Sequence, residues 1–203
     1  GVLEQEVKQQ LAAYLHHRAT GRPFVVLKMA STIDGRIAAA DGSSKWITGE
    51  TARKRVHQLR AESDAIVVGA GTVRADDPSL TVRDAEGPSP RRIVLGTIDA
   101  SAKVHPCTQW TGTLPDLLDT LGKEGVVQLL VEGGARVAAS FHRERLINQY
   151  IMHIAPVIAG GDNAAGVFAG PAASTMADMW RGRIVSSTNL DCDIEIILEP
   201  NLN

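Results

Sequence analysis

Three short apolar runs, separated by segments with a helical pattern, limit what this chain can fold into more than any other feature. Ala65–Gly69, Arg92–Leu95 and Val126–Val131 are apolar at almost every position, as expected of strands buried on both faces. Such strands form parallel sheets that helices cover on both sides. The alternation therefore predicts a single α/β domain with a mixed, mostly parallel central sheet flanked by helices.

The flanking sequence supplies the other elements of this predicted fold. Further strands are expected at Phe24–Met29, Arg36–Ala39 and Gln149–Ala155, and helices at residues 49–62, 115–123 and 135–145. Arg183–Asn189 and Asp193–Glu199 are separated only by a short turn, so they predict a C-terminal β-hairpin, whose strands are antiparallel. Residues 84–90 are polar and include Pro88 and Pro90, and Gly, Ala, Ser and Pro dominate 159–175, so both segments are predicted to be loops. Residues 69–83 are predicted to open from a buried strand into a turn and loop flanked by glycine.

The N-terminal segment has a pattern of its own. Its apolar residues recur every four positions, at Leu3, Val7, Leu11 and Leu15, and the pattern ends at Gly21-Arg22-Pro23. This spacing predicts a helix with one apolar face. We expect residues 1–20 to form a linker helix that packs on the main domain, residues 21–203. A start without Met, already within a helical pattern, is typical of a processed chain or of a domain cut from a longer one.

Charge and cysteine usage exclude several classes of function. A net charge of −2 over 203 residues gives no general affinity for nucleic acid or an anionic membrane, so any phosphate must be bound by locally placed groups. No secretory signal or membrane-spanning run is apparent. Cys107 and Cys192 lie far apart, and His105 lacks the partner motifs of a zinc deaminase. We therefore expect free thiols, no metal site and a cytoplasmic location.

The junction Glu132-Gly133-Gly134 follows a predicted buried strand and opens a predicted helix. Glycine there lets backbone amides approach a ligand, and the first turn of a helix offers N–H groups with positive partial charge. This arrangement suits a pyrophosphate, although a tight strand–helix turn also favours glycine. The pattern is not the dinucleotide fingerprint G-x-G-x-x-G, so the Rossmann fold is not predicted.

Three further segments carry side chains suited to a ligand. Lys28 lies in an otherwise apolar strand, so it either reaches a substrate oxygen or extends into solvent from an edge strand. The Trp46 ring either lies against a flat ligand or simply packs near a helix start. Residues 69–83 place Thr72, two aspartates and two arginines after a buried strand, where α/β proteins bind ligands, although surface salt bridges are the alternative.

Taken together, these segments resemble a known enzyme family. The motifs are Lys28-Met29-Ala30-Ser31-Thr32-Ile33-Asp34-Gly35, Ser44-Lys45-Trp46-Ile47-Thr48, Arg74-Ala75-Asp76-Asp77-Pro78-Ser79-Leu80-Thr81-Val82-Arg83, Val131-Glu132-Gly133-Gly134 and Ile154-Ala155-Pro156. In this order and spacing, over about residues 21–199, they resemble the reductase domain of the bacterial bifunctional riboflavin biosynthesis deaminase/reductase. The resemblance implies a single-domain dihydrofolate-reductase-like fold. It also implies NADPH-dependent reduction of the ribosyl C1′ of 5-amino-6-(5-phosphoribosylamino)uracil to the ribitylamino product.

The resemblance further implies which residues bind each ligand. NADPH contacts are implied at Ala30, Trp46, Thr72, Asp76 and Thr97, and along Gly134, Ala135, Arg136, Val137, Ala138, Ala139 and Ser140. Substrate contacts are implied at Ser44, Arg60, Leu80, Arg83 and Glu132. The two arginines suit a phosphate because a guanidinium is a planar fork of donors. As catalytic groups we assign Lys28, to protonate or polarise, and Glu132, to bind sugar hydroxyls or relay a proton.

Other functions remain open at this point. One is reduction of the undeaminated 2,5-diaminopyrimidinone ribosyl phosphate, and another is reduction of a different pteridine-like substrate on the same scaffold. From a different class, the chain fits a non-catalytic nucleotide-binding domain. Members of the family carry a deaminase domain before the reductase and are commonly dimers. A fused deaminase in a longer chain is therefore expected, as is a homodimer that uses the apolar strand Gln149–Ala155.

Overall fold

The computed structural model describes residue 1 and residues 3–201, with the backbone alone for Gln5 and Glu6. The strands are β1 (Phe24–Thr32), β2 (Ala65–Gly69), β3 (Arg91–Leu95), β4 (Thr108–Trp110), β5 (Gln128–Val131), β6 (Gln149–Ala155), β7 (Gly182–Leu190) and β8 (Asp193–Pro200). They form one eight-stranded sheet in the order β4-β3-β2-β5-β1-β6-β8-β7. The sheet is mixed and helices flank it, which confirms the predicted fold class.

The helices are α1 (Glu4–Gln10), α2 (Ala12–Thr20), α3 (Glu50–Ala61), α4 (Ala70–Asp76), α5 (Leu114–Lys123) and α6 (Ala135–Arg143). The predicted strands and helices are present, with shifts of a few residues at their ends. The exception is the extended segment Arg36–Ala39, where Arg36 forms only an isolated bridge with Gly166. Helix α4 and the short strand β4 were not predicted.

Helix α4 shows why a loop was the wrong prediction for its residues. Gly69 ends β2, and the helix starts at the next residue without a side-chain cap, so the sequence lacks the usual start signal. Gly71, inside the helix, adds a second residue that favours turns. The side chains of Ala70 and Val73 are buried, and this packing stabilises a helix too short to be stable alone.

By compactness the chain divides into two units, each made of two separate stretches. The first unit comprises Gly1–Val26 and His57–Val131. The second comprises Leu27–Val56 and the described residues from Glu132 onward. Residues 1–20 group with the first unit, and the domain boundary at residue 20 stays a prediction.

The core of the first unit is built on β2. Ala65, Ile66, Val67 and Val68 are fully buried, and β2 pairs in parallel with β3 on one side and with β5 on the other. Helix α5 buries a row of leucines and starts at Thr113, whose hydroxyl accepts the Asp116 N–H. These contacts are the ones that buried parallel strands require, since helices must cover both faces of such a sheet.

The N-terminal helices contradict one expectation. Their apolar side chains remain largely in solvent: Leu3 is 62 % exposed, Val7 48 %, Leu11 43 % and Leu15 45 %. The apolar face is therefore not the surface through which this segment contacts the main domain. Contact comes instead from the polar side, where His17 Nε2 lies 3.2 Å from the Gly122 carbonyl oxygen and the His16 ring packs edge-on against Phe24.

The second unit contains the predicted hairpin. Strands β7 and β8 are antiparallel, and Asp191 in the turn has a φ of 63°. Strand β8 also pairs antiparallel with β6, in a register that places His153 opposite Glu195. Strand β6 is an inner strand with Tyr150, Ile151 and Ala155 buried, so both of its edges are paired within the sheet, and the homodimer predicted to use it stays a prediction.

No helix in the described part of the chain is both long enough and apolar enough to cross a membrane.

Candidate active site

Lys28 is half-buried on β1, between the buried side chains of Leu27 and Met29. Because β1 is an inner strand of the sheet, the edge-strand alternative for this lysine is excluded. Its charge acts on a buried histidine of the same unit. Burial lowers the pKa of His153, a hydrogen bond with Glu195 opposes that shift, and the charge of Lys28 lowers the pKa further. The Lys28 ammonium is therefore close enough to the buried His153 ring to affect its pKa.

A buried chain of polar groups surrounds His153. Its Nε2 lies 3.0 Å from Glu195 Oε2, which Arg55 Nε contacts at 3.3 Å. Burial raises the pKa of Glu195, but His153 and Arg55 together lower it below its ordinary value. We conclude that Glu195 is ionised and that a neutral His153 donates its Nε2–H. The His153 Nδ1 then keeps a buried lone pair for which the described residues supply no hydrogen-bond partner. These contacts were not predicted from the sequence because His153 and Glu195 belong to no motif.

Trp46 is exposed, not packed. The residue is 71 % exposed, and the Arg53 guanidinium lies 4.7 Å from the ring centroid. The loop before it is held by Asp41, which accepts the N–H and the hydroxyl of Ser43, and Ser44 is half-buried beside it. A cation over one face of an exposed indole leaves a flat surface suited to an aromatic ligand.

Two alternatives were considered for the glycines before α6, a tight turn and an anion site, and each applies to a different glycine. A side chain on Gly133 would collide with Val137, so Gly133 is required by the tight turn itself. Gly134 is the N-cap and forms no side-chain cap bond, and the first turn has no acidic residue. The backbone N–H groups at the start of α6 therefore suit an anion.

The rest of the α6 segment is divided between surface and core. Ala135 and Val137 are half-buried and Arg136 is exposed, whereas the side chains of Ala138 and Ala139 are buried. Ser140 donates its hydroxyl to the Arg136 carbonyl oxygen. The cofactor contacts predicted along this segment stay predictions, and the side chains accessible on it are those of Ala135, Arg136, Val137 and Ser140. Glu132 is half-buried at the end of β5, and Ala30 is half-buried on β1.

Asp34 and Arg36 fasten the loop after β6, a feature that sequence reasoning missed. The Asp34 carboxylate accepts the backbone N–H groups of Ala159 and Gly160 at 3.2 and 2.8 Å. Arg36 donates to the carbonyl oxygens of Ala164 and Gly161 at 2.9 and 2.6 Å. The Thr32 hydroxyl and these backbone donors lower the pKa of Asp34 to about 2. We call this set of contacts the Asp34–Arg36 clasp.

In the first unit, α4 carries two of the predicted cofactor residues. Thr72 and Asp76 are half-buried on it, and Arg74 Nη1 donates to the Thr97 carbonyl oxygen at 3.2 Å, which brings the exposed Thr97 beside the helix. Asp77 instead forms an ion pair with Lys103 Nζ at 3.0 Å. The surface salt bridge considered for this segment is thus present at Asp77.

Two predicted substrate residues meet on one short segment of the first unit. Arg60 Nη1 donates to the Thr81 carbonyl oxygen at 3.1 Å, and Arg83 Nη1 donates to Ser79 Oγ at 3.2 Å. Between them, Leu80 has a φ of 54° and a buried side chain, so a ligand can reach only its backbone. Arg60 and Arg83 thus both donate to residues 79–81.

Within residues 1 and 3–201, no cluster of three or more His, Cys, Asp or Glu side chains could hold a metal ion.

The fold and these sites define the class before any particular family is considered. The chain is an α/β protein of the dihydrofolate-reductase-like class. The model of the family described as "RibD C-terminal domain" matches residues 23–196, and the chain belongs to that family.

Known proteins agree with this assignment. The chain is 37 % identical to riboflavin biosynthesis protein RibD of Mycobacterium tuberculosis, over 97 % of this chain and 61 % of that protein. The identity is 31 % with RibD of Bacillus amyloliquefaciens, over 98 % and 63 %. The chain thus spans less than two thirds of the length of these relatives.

Solved structures show the same relationship. RibD of Acinetobacter baumannii superposes with a TM-score of 0.90 at 33 % identity, covering 100 % of this chain and 65 % of that one. A Thermotoga maritima protein, named a diaminohydroxyphosphoribosylaminopyrimidine deaminase/5-amino-6-(5-phosphoribosylamino)uracil reductase, gives 0.85 at 30 % identity, covering 98 % and 63 %.

Proposed function

We propose that this chain uses NADPH to reduce the ribosyl C1′ of 5-amino-6-(5-phosphoribosylamino)uracil to the ribitylamino product in riboflavin biosynthesis. Membership of the RibD C-terminal domain family supports the pathway. The name of the Thermotoga maritima protein includes this reductase activity, which supports the reaction. That name also includes a deaminase, and our proposal for this chain covers the reductase reaction alone.

The observation that carries the proposal is the pair of arginines on residues 79–83. Arg60 donates to the Thr81 carbonyl oxygen and Arg83 donates to Ser79 Oγ, so two arginines bind neighbouring residues of one segment in a protein whose net charge is −2. A guanidinium can form two parallel hydrogen bonds to phosphate oxygens, which an ammonium cannot. A substrate that carries a phosphate ester is therefore the ligand that these residues fit best.

The chain also has groups that fit a nicotinamide dinucleotide. The uncapped N–H groups at Gly134 suit the pyrophosphate, and the exposed Trp46 ring suits an aromatic base. We assign further contacts to Ala30 in the second unit, and to Thr72, Asp76 and Thr97 in the first. When bound, the nicotinamide supplies the hydride.

Lys28 and Glu132 are the residues we assign to the reacting centre. Ring opening of the ribosylamine gives an imine at C1′, and its reduction to the amine requires one hydride and one proton. We assign the donation of that proton to Lys28, whose side chain is half-buried on the inner strand β1. The Glu132 carboxylate accepts hydrogen bonds from the sugar hydroxyls and so orients C1′.

The test is NADPH oxidation, followed by the loss of absorbance near ~340 nm that reports hydride transfer. Three substrates are compared: the ribosylaminouracil phosphate, its undeaminated precursor and dihydrofolate. We expect turnover that is selective for the uracil compound. Lys28→Met should lower kcat by about 10²- to 10⁴-fold, as expected for the loss of a general acid. Lys123→Met, at an exposed lysine at the end of α5, is the matched control.

Each alternative function has its own result in this experiment. Preference for the undeaminated compound would identify the sister reductase, and turnover of dihydrofolate would identify a different pteridine-like substrate. NADPH binding without turnover of any of the three would identify a nucleotide-binding module and would overturn the enzyme proposal. Near-normal kcat in Lys28→Met would remove Lys28 from the mechanism.

We also propose that the chain forms a homodimer and acts together with a deaminase domain. Exposed apolar side chains of the second unit, among them Ile158, Met176 and Ile184, support an interface. Light scattering coupled to gel filtration should give twice the mass of one chain, whereas a mass of one chain at micromolar concentration would contradict the dimer.

A further inference from the structure

His57, a residue outside every motif considered above, contacts Arg83 and Asp84 through the two nitrogens of its ring. It lies on α3 and is 6 % exposed. Its Nδ1 accepts the backbone N–H of Arg83 at 3.2 Å, and its Nε2 lies 3.3 Å from Asp84 Oδ2. A single buried side chain therefore contacts two successive residues of the loop.

These contacts define the tautomer of His57. A nitrogen that accepts an N–H cannot carry a proton, so Nδ1 is the acceptor and Nε2 carries the hydrogen that is donated to Asp84. An imidazole in this form is acceptor on one side and donor on the other. Loss of either nitrogen would leave the Arg83 N–H or the Asp84 carboxylate without that partner.

Helix α3 holds the same segment at a second point. Arg60 lies three positions after His57, on the same face of the helix, and donates to the Thr81 carbonyl oxygen. Thr81 and Arg83 are thus both fixed to α3 by their backbones. The guanidinium of Arg83 stays at the surface, where it donates to Ser79 Oγ.

Asp84 creates a difficulty for phosphate binding that His57 removes. Its carboxylate is 61 % exposed and belongs to the residue next to Arg83. A guanidinium binds carboxylate and phosphate with the same planar geometry, so a free Asp84 would compete with a phosphate ester for Arg83. The hydrogen bond from His57 Nε2 directs this carboxylate toward α3.

We propose that His57 is a positioning residue of the substrate-phosphate site: it fixes the backbone of Arg83 and holds Asp84 away from the Arg83 guanidinium. The inference rests on the proposed function, because it takes Arg60 and Arg83 as the groups that bind the substrate phosphate. It goes beyond that function by naming the residue that sets the strength of the site.

Two substitutions separate the two contacts of His57. Asparagine places an oxygen where Nδ1 lies but does not reach Asp84, and glutamine places its amide where Nε2 lies and leaves the Arg83 N–H without this acceptor. Both His57→Asn and His57→Gln should raise KM for the phosphorylated substrate by about tenfold, as expected for one lost hydrogen bond to a charged or backbone group. Neither should change kcat or KM for NADPH, and inorganic phosphate should inhibit both variants less.

The variant Asp84→Asn makes the test specific. Added to His57→Asn it removes the competing carboxylate, so KM should return toward the wild-type value, whereas added to His57→Gln it should not. A purely structural role would allow no such selective rescue. In an Arg83→Met background, His57→Gln should cause no further rise in KM. Lys54→Gln, at an exposed position of α3, should behave as wild type throughout.

The possible failures can be told apart. A rise in KM with Arg83→Met but not with either His57 variant would overturn this inference and leave the proposed function intact. Failure of Asp84→Asn to rescue His57→Asn, or an equal rise in KM for NADPH, would also reduce His57 to a structural role. An unchanged KM with Arg83→Met in an active enzyme would show that the phosphate assignment itself is wrong, and the inference would fall with it.

Discussion

At the scale of single residues, Asp34 shows how one carboxylate can organise a loop. Its two oxygens accept backbone N–H groups from Ala159 and Gly160 and the hydroxyl of Thr32, and these donors lower its pKa to about 2. Hydrogen bonds to a charged acceptor are stronger than those between neutral groups, so several of them together stabilise an exposed loop. The loop after β6 therefore depends on the ionised form of Asp34.

Asp34→Asn should consequently lower the melting temperature at about pH 7, because the amide accepts fewer and weaker hydrogen bonds. Since the pKa of Asp34 is depressed in the folded state, its contribution is present above the ordinary value of 3.8 and disappears as pH falls toward about 2. The difference in melting temperature should therefore narrow on acidification. Asp162→Asn removes the same charge from an exposed site in the same loop and is the control. Equal effects of the two substitutions on the melting temperature would contradict the stabilising role assigned to the Asp34–Arg36 clasp.

At the scale of elements, two helical glycines with opposite surroundings predict opposite effects of alanine. A side chain on Gly122 of α5 would collide with the Gly21 carbonyl oxygen, and backbone cannot move aside as a side chain can. A Cβ added at Gly71 of α4 would meet no atom within 4 Å outside the neighbouring backbone of the helix. Gly122→Ala should destabilise by about 1–3 kcal/mol through overpacking, and Gly71→Ala should stabilise by about 0.4–1 kcal/mol through helix propensity and chain entropy.

Urea unfolding of both variants measures these free energies, read from the midpoint at an unchanged slope. A neutral Gly122→Ala would show that α2 and α5 are less closely packed than the structure indicates. A destabilising Gly71→Ala would argue against the helical assignment of α4, which sequence reasoning had read as a loop.

The elements that could be predicted from sequence are those whose residues carry their own signal. Strand β2 was predicted because its residues are apolar on both faces, and α3 because its sequence has a helical pattern. Helix α4 lacks a cap and contains Gly71, so only its packing against the core makes it helical. The contacts of His57 and His153 join residues distant in sequence, and no local pattern could have revealed them.

At the scale of the whole molecule, histidines whose rings are wholly or partly buried contribute to the response to pH. Burial is the main cause that lowers the pKa of His16, His142 and His153; the neighbouring charges of His17, Arg143 and Lys28, respectively, lower it further. For His153 the hydrogen bond with Glu195 opposes the shift without reversing it. The folded chain therefore keeps these rings neutral at a pH where the unfolded chain protonates them.

The sign of the effect follows from this difference in bound protons. Below the ordinary histidine value of 6.5 the unfolded state binds more protons than the folded state, so the free energy of unfolding falls as the solution is acidified. We expect the urea midpoint to be nearly constant from about pH 8 to 7 and to decrease from about pH 6.5 to 5.5. His153→Gln keeps a donor for Glu195 but cannot take up a proton, so its midpoint should change less over the same interval. His105→Gln, at a partly exposed site, leaves His16, His142 and His153 in place and should keep the wild-type slope. A slope in His153→Gln equal to that of the wild type would show that His153 does not titrate differently in the two states, and the neutral, Nε2-protonated form assigned to it would be wrong.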